Sequence, residues 1–471
     1  MASELGPILV ISCCKKEIRI KTSPPDTARA GRSDQKASFK VNDFKPTNYD
    51  LRSVKTGNTF ADAGWTLDAP GEDGATLIRT QYEKRQLTVR DAQQGLFRFA
   101  DWLPMKRAIS GSAAPVTYKS DGLASHLGLS NLYITFNGYW PERGAMMRTC
   151  SFKETEAYTV ASRLAADCTD TLVVASAGNT ARAFARVCSD NGIRLLLCIP
   201  EDNLGALWFD TPLNDCVRIV ATRSGSDYSD AISLSNIVCG LNGYIAEGGA
   251  KNVARRDGMS ATVMSAVTTI GRIPDAYFQA VGSGTGAIAA WEANLRFIAD
   301  GRFGSNKMRL MVSQNAPFQP IYDAWKAQSR SILPFDENEA RRHAGIIAAK
   351  VLSNRKPPYS IAGGLFDALQ DTGGDVIAAT NDEAAEAGRL FEKLEGNDIN
   401  AAASIATASL IKAVAEGKVG KDEVIMLNIT GGGEARFKAD HKVTTAAAHH
   451  IFGIDAAKDE VATVVNALFG K

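Results

Sequence analysis

The 471-residue chain has no excess of either charge: 53 lysines and arginines stand against 52 aspartates and glutamates. A balance of that kind makes no bulk field toward nucleic acid or a charged membrane surface, so any anion has to be held locally. No apolar run approaches the roughly 20 residues that span a bilayer, and the start Met1-Ala2-Ser3-Glu4 does not read as a secretory signal. The expectation is a cytoplasmic protein with no nucleic-acid or membrane partner. Cys-x-x-Cys pairs are also missing. The eight cysteines are Cys13, Cys14, Cys150, Cys168, Cys188, Cys198, Cys216 and Cys239, several on apolar stretches, and they read as reduced core thiols. The five histidines (His126, His343, His441, His449 and His450) have no ligand spacing, so no metal is expected.

Four motifs carry the chemistry that is present. In Cys150-Ser151-Phe152-Lys153-Glu154, a lysine precedes a helical pattern of Ala157, Val160, Ala161 and Leu164. Burial and the positive helix end both lower an amine's pKa, making it a nucleophile toward an aldehyde as well as a base. Taken singly, such a lysine is more often a solvated surface residue. The second motif, Thr171 to Thr180, is a strand turning through Ser176-Ala177-Gly178-Asn179-Thr180 into a helix, which offers N–H groups and polar side chains to an anion or a ring oxygen. Asn179 alone would read as a helix cap. The third, Gly282-Ser283-Gly284-Thr285-Gly286, follows a strand from Tyr277 to Val281 and opens a helix, as a phosphate cup does. It also fits the Gly-x-Gly-x-x-Ala of a dinucleotide site. That rival wants an acidic residue after the next strand, where Ser313-Gln314-Asn315 stands instead. The fourth is the apolar strand Val424 to Ile429 ending in Thr430-Gly431-Gly432-Gly433; its glycines allow approach by a flat ligand or mark a plain strand exit.

An amine, an amide, a phosphate cup and a hydroxyl are together what pyridoxal 5'-phosphate needs. At these motifs the chain resembles the threonine synthase group of fold type II pyridoxal-phosphate enzymes, whose order and rough spacing they follow. Within that group it resembles the cysteate synthases, through Phe97-Arg98-Phe99-Ala100-Asp101-Trp102-Leu103-Pro104, Ala114 to Ser120, Gly138-Tyr139-Trp140-Pro141-Glu142 and Thr149 to Tyr158. Threonine synthases usually carry Asp-Arg after the lysine; this chain has Glu154-Thr155. The resemblance covers about Tyr82 to the C-terminal region.

The resemblance implies a transferase that converts O-phospho-L-serine and sulfite into L-cysteate and phosphate through an aminoacrylate, a step toward coenzyme M. By match to the family's motifs, Lys153 would be the Schiff-base lysine and general base, and Asn179 the donor to the cofactor oxygen. Thr430 would partner the pyridine nitrogen, and Gly282, Ser283, Gly284, Thr285 and Gly286 would hold the cofactor phosphate. Two anions must also be held near the reacting carbon, the leaving phosphate and the incoming sulfite. The candidates are Arg148, Arg182, Lys251, Arg255 and Arg256 for these anions, and Ser176 and Thr180 for the substrate carboxylate. Each of the cations reads equally well as a surface or loop charge. Threonine synthesis, replacement by another nucleophile and a non-catalytic ligand-binding homologue stay open beside the first reading.

The fold expected is α/β, two doubly wound parallel-sheet domains with a cleft between them, as in the β subunit of tryptophan synthase. Residues 1–95 read as a largely irregular N-terminal extension, with Ser, Pro, Lys and Asp concentrated from Lys21 to Lys55. Strands and helices alternate afterwards. The family arrangement implies a smaller domain over 151–268 inserted in a larger one made of 96–150 and 269–471, and a homo-oligomer. Relatives often carry a cysteine-rich zinc module near the N-terminus; with only Cys13-Cys14 there, zinc is not expected.

Overall fold

Runs of apolar residues with little alternation make strands buried on both faces, and such strands need helices on either side. The structure, a computed structural model, describes residues 44–471 apart from Ala92, Gln94 and Ala177; Cys13-Cys14 and most of the stretch from Lys21 to Lys55 lie outside the described residues. The larger sheet has six strands in the order Asp375–Ala379, Arg309–Asn315, Ala276–Ala280, Val424–Ile429, Asn131–Phe136 and Val116–Lys119. All neighbours are parallel except the edge strand Val116–Lys119, antiparallel to Asn131–Phe136. The smaller sheet has five parallel strands in the order Tyr244–Ala246, Thr171–Ala175, Leu195–Pro200, Val217–Thr222 and His450–Phe452. Val424–Ile429 and Leu195–Pro200, central in their sheets, are buried along their whole length.

Helix Ala401–Ala415 sits on the larger sheet, where Ala402, Ala403, Ile405, Ala406 and Leu410 join Ile134, Phe278, Ile425 and Leu427 in one core. Its alanines leave no long side chains to hold helix and sheet apart. The helix Lys153–Arg163 packs on Val253–Ile270, a helix buried on most of its circumference. Among the described residues no helix is long and apolar enough to cross a membrane.

Two expectations need adjustment. The region up to residue 95 is mostly irregular where it is described, yet it also carries a three-stranded antiparallel sheet of Tyr49–Ser53, Thr59–Phe60 and Ile78–Tyr82, with Leu51 and Ile78 in a small core with Val253. Its buried face includes Ser53 and Thr80, so the alternation that marks a strand is muted in the sequence. The second concerns residues 269–471, expected with the larger sheet. His450–Phe452 instead extends the smaller sheet, and helix Lys458–Leu468 covers it through Val461 and Val465. A three-residue edge strand carries too short a pattern to announce its partner.

Candidate active site

Three of the motifs end a strand of one of the two main sheets, where such sheets place ligands, and the fourth, at Lys153, opens a helix after the short antiparallel pair Tyr139–Trp140 and Ala145–Met146. The helix Lys153–Arg163 begins at the lysine itself, with Glu154 and Glu156 in its first turn. The entry is pinned: the Phe152 N–H donates to the Thr430 carbonyl at 2.9 Å, and the Thr155 hydroxyl donates to the Phe152 carbonyl at 2.7 Å. Glu154 is buried and accepts from the Thr149 N–H at 2.9 Å and the Thr149 hydroxyl at 2.8 Å. The pair that departs from the threonine synthase pattern thus fastens the loop carrying Lys153, a role that sequence reasoning missed.

Lys153, Asn179, Gly282 to Gly286 and Thr430 line one inner cavity, together with Gln279, Val351 and Ala402. An adjoining outer cavity shares Lys153, Asn179, Ser283 and Val351 and adds Ser176, Thr180, Tyr228, Arg255, Lys350 and Asn354. Four segments more than a hundred residues apart at their extremes therefore meet. A much larger cavity, about 610 Å³, lies elsewhere, between strand Ile78–Tyr82 and helix Thr285–Asp300. None of the four motifs lines it, so chemistry rather than size selects the inner site.

The amine is about one-fifth exposed, 3.4 Å from Glu156 Oε2, and lies 4.6 Å from the centre of the Phe152 ring. Burial pulls its pKa below the ordinary lysine value, outweighing the opposite pull of Glu156. Glu156 also faces Arg255, with Oε1 3.1 Å from Nη2, while Arg255 Nη1 donates to Glu247 Oε2 at 2.7 Å. Burial alone would lower the Arg255 pKa, yet Glu156 and Glu247 outweigh it and hold the guanidinium charged. Lysine, arginine and two carboxylates thus form one enclosed, nearly neutral group.

The cup at Gly282 to Gly286 has the shape of an anion receptor. Gly284 takes a left-handed φ of 78° and opens helix Thr285–Asp300, while the Ser283 and Thr285 hydroxyls lie 2.8 Å apart. A side chain on Gly282 would meet the backbone of Leu352 at 2.9 Å, and one on Gly286 would meet Gln279 at 2.6 Å. The residues therefore fit pyridoxal phosphate: the free helix N-terminus for its phosphate, Lys153 for its aldehyde, Asn179 for its ring oxygen and the Thr430 hydroxyl for its pyridine nitrogen. The three glycines after Thr430 serve packing instead of a flat ligand. Side chains on Gly431, Gly432 and Gly433 would strike Asn400, the Asp398 carbonyl and the Tyr139 carbonyl.

Asn179 is no cap. Ser176 takes that role, its Oγ accepting from the Gly178 and Ala181 N–H groups at 3.2 and 3.1 Å. The Asn179 Oδ1 accepts from Arg182 Nη2 at 3.0 Å, which leaves the amide nitrogen as the donor toward a ligand.

Four of the five proposed anion-binding cations line neither cavity and are engaged elsewhere. Arg182 is buried and occupied: Nε and Nη2 donate to the Thr149 carbonyl at 3.2 and 3.0 Å, Nη1 donates to the Ala206 carbonyl at 2.9 Å, and the guanidinium stacks 4.2 Å from the Trp208 ring. Arg148 is paired with Asp190 and Asp210 at 2.8 and 2.7 Å. Lys251 reaches Asp68 at 2.6 Å on the surface. Arg256 is buried against Glu292 at 2.9 Å and the carbonyls of Ala250 and Ile78. Only Arg255 lines the outer cavity, with Ser176 and Thr180. Sequence reasoning assigned no role to Glu156, which lies within the Thr149 to Tyr158 segment, and missed Tyr228, Glu247 and Lys350, which belong to no motif. Burial pushes the Cys150 thiol far up, so it is a packed, inert group. Among the described residues no cluster of three or more His, Cys, Asp or Glu is arranged to hold a metal.

Residues 123–431 match the family model described as pyridoxal-phosphate dependent enzyme. Cysteate synthase of Methanosarcina barkeri is 46% identical over 395 residues, 84% of this chain and 94% of the relative. That of Methanocella paludicola is 48% identical over 394 residues, covering 83% and 91%. Among solved structures, maize serine racemase superposes with a TM-score of 0.52 at 13% identity, over 69% of this chain and 92% of the other. A pyridoxal 5'-phosphate-dependent aspartate racemase gives 0.50 at 15%, over 68% and 90%; these two speak for the fold alone. With cofactor chemistry, fold and nearly half of the aligned residues in agreement, this chain belongs to the cysteate synthases of the pyridoxal-phosphate dependent enzyme family.

Proposed function

We propose that the chain replaces the phosphate of O-phospho-L-serine by sulfite, giving L-cysteate and inorganic phosphate, with Lys153 as the catalytic amine. The observation that carries this reading is the meeting of Lys153, Asn179, the Gly282 to Gly286 cup and Thr430 around one cavity. Pyridoxal phosphate, when bound, supplies the electron sink that acidifies the substrate α-carbon and lets the β-phosphate leave. The protein's part is to place and protonate. The cup's backbone N–H groups would hold the cofactor phosphate, and the Asn179 amide nitrogen would donate to the ring oxygen. Thr430, a hydroxyl and not a carboxylate, would partner the pyridine nitrogen without forcing a proton onto it, and a mild sink of that kind suits elimination at the β-carbon.

Lys153 Nζ removes the α-proton and later returns it. Its lowered pKa makes the neutral, basic form more available near neutral pH, while Glu156 stands ready to stabilise the ammonium once the proton has arrived. Ser176 and Thr180 at the outer cavity are placed to receive the substrate carboxylate. The C–O bond to phosphate breaks with its electron pair, and the sulfur lone pair of sulfite forms the new C–S bond, so no oxidant is needed.

The test is turnover of O-phospho-L-serine with and without sulfite, following phosphate by colour reaction and cysteate by mass spectrometry. Cysteate and phosphate in equal amounts are expected. Faster phosphate release from O-phosphohomoserine in water, with threonine as product, would replace this reading by threonine synthesis.

A further inference from the structure

A reaction that expels one oxyanion and admits another needs a positive charge near the β-carbon that no carboxylate already cancels. Arg255 does not meet that need, since Glu156 and Glu247 both face it. The outer cavity has one further cation besides Lys153, namely Lys350. Its Nζ donates to the Gly345 carbonyl, and among the described residues no carboxylate lies within ion-pairing distance of it. An ammonium has three donors, so two stay available.

The backbone that presents Lys350 is held from both sides. Ahead of it, the Ala348 N–H donates to Asn381 Oδ1 at 2.8 Å and the Ala349 N–H to Asn315 Oδ1 at 3.0 Å. Behind it, Leu352 is buried, and Arg355 reaches across to Asp227 at 2.6 Å, at the start of the helix Tyr228–Cys239 of the smaller sheet. Lys350 itself is exposed, on a turn whose backbone passes over Gly282.

We infer that Lys350 is a specificity-determining residue of this enzyme: it holds the oxyanion at the β-carbon, the phosphate of the amino-acid substrate or the sulfite that replaces it. The inference rests on the proposed reaction for the names of the two anions, and on the cleft geometry for the site.

Its test uses the holoenzyme, whose cofactor phosphate already fills the glycine cup, and inorganic phosphate as the probe. Calorimetric titration of wild type, Lys350→Gln and Lys350→Arg is expected to show phosphate binding weakened about tenfold or more by glutamine and largely restored by arginine. Unchanged cofactor absorbance reports that the fold is intact. In steady-state assays the KM of the anion that Lys350 holds rises while kcat moves only a few-fold; which of the two KM values rises, that of O-phospho-L-serine or that of sulfite, tells the sources apart. Phosphate affinity equal in wild type and Lys350→Gln, or a wild-type holoenzyme that takes up no phosphate, overturns the inference. A wild type inert toward O-phospho-L-serine and sulfite would instead end the proposed reaction, and the phosphate titration would still decide on Lys350.

Discussion

At the scale of single residues, the amine and its neighbour Glu154 govern different properties. Removing the amine removes both the covalent link and the base. Lys153→Ala is expected to lose the cofactor's borohydride-stable attachment and to lower kcat by roughly 10² to 10⁴-fold or more. Retention of full activity would exclude Lys153 from the chemistry. Glu154, in contrast, acts on stability. Burial raises its carboxyl from 4.5 to about 7, only partly opposed by the Thr149 hydrogen bonds. Folding therefore favours the protonated form. That contribution is complete below about pH 4.5 and disappears as the pH rises through about 7, a swing on the order of 3 kcal/mol. Glu154→Gln keeps an acceptor for Thr149 and removes the titration, so thermal melts across this window should flatten relative to wild type. A variant whose melting temperature falls with pH as steeply as that of wild type would contradict this account.

At the scale of elements, the strand-to-helix turns were legible in the sequence and the long-range charge partners were not. A glycine-rich turn between an apolar strand and an amphipathic helix is a local pattern, and Thr171–Ala175 with Asn179–Asp190, and Ala276–Ala280 with Thr285–Asp300, stand close to where it puts them. An arginine's role depends instead on what faces it from elsewhere in the chain. Arg148 has no partner within forty residues, yet Asp190 and Asp210 hold it; Arg182 is taken up by carbonyls that no pattern marks. The same holds for the last glycine of the Thr430 motif, Gly433, whose reason is backbone contact with a segment almost three hundred residues earlier. Gly433 has φ 73°, and an added Cβ would lie 1.8 Å from the Tyr139 carbonyl oxygen. Gly433→Ala is therefore expected to cost about 3 kcal/mol or more, beyond the roughly 1 kcal/mol of the φ penalty alone. Chemical denaturation of the purified variant checks it, and a midpoint shift worth less than about 1 kcal/mol would show that the turn relaxes freely.

At the scale of the whole molecule, the two parallel sheets are not consecutive blocks of chain. The smaller one takes four strands from residues 171–246 and its fifth from His450–Phe452, with the covering helix Lys458–Leu468. The alternation of strands and helices foretold the parallel sheets, but the exchange of this final segment between them depends on pairing across more than two hundred residues, which alternation does not encode. Deleting residues 450–471 should expose the edge of Val217–Thr222 and the apolar faces of Val220, Leu234 and Val238. The expected result is a lower melting temperature and aggregation on storage. A truncated protein as stable and monodisperse as the full chain would show that this clasp is dispensable.

The late position of that strand also sets an order of events during synthesis. Ribosomes deliver the first four strands of the smaller sheet long before residue 452, so its open edge must wait, unpaired, while four of the six strands of the larger sheet are translated. Closure of that edge is thus timed by the arrival of residues 450–452, while Lys471 reaches the opposite edge of the same sheet, at Gly243 and Tyr244.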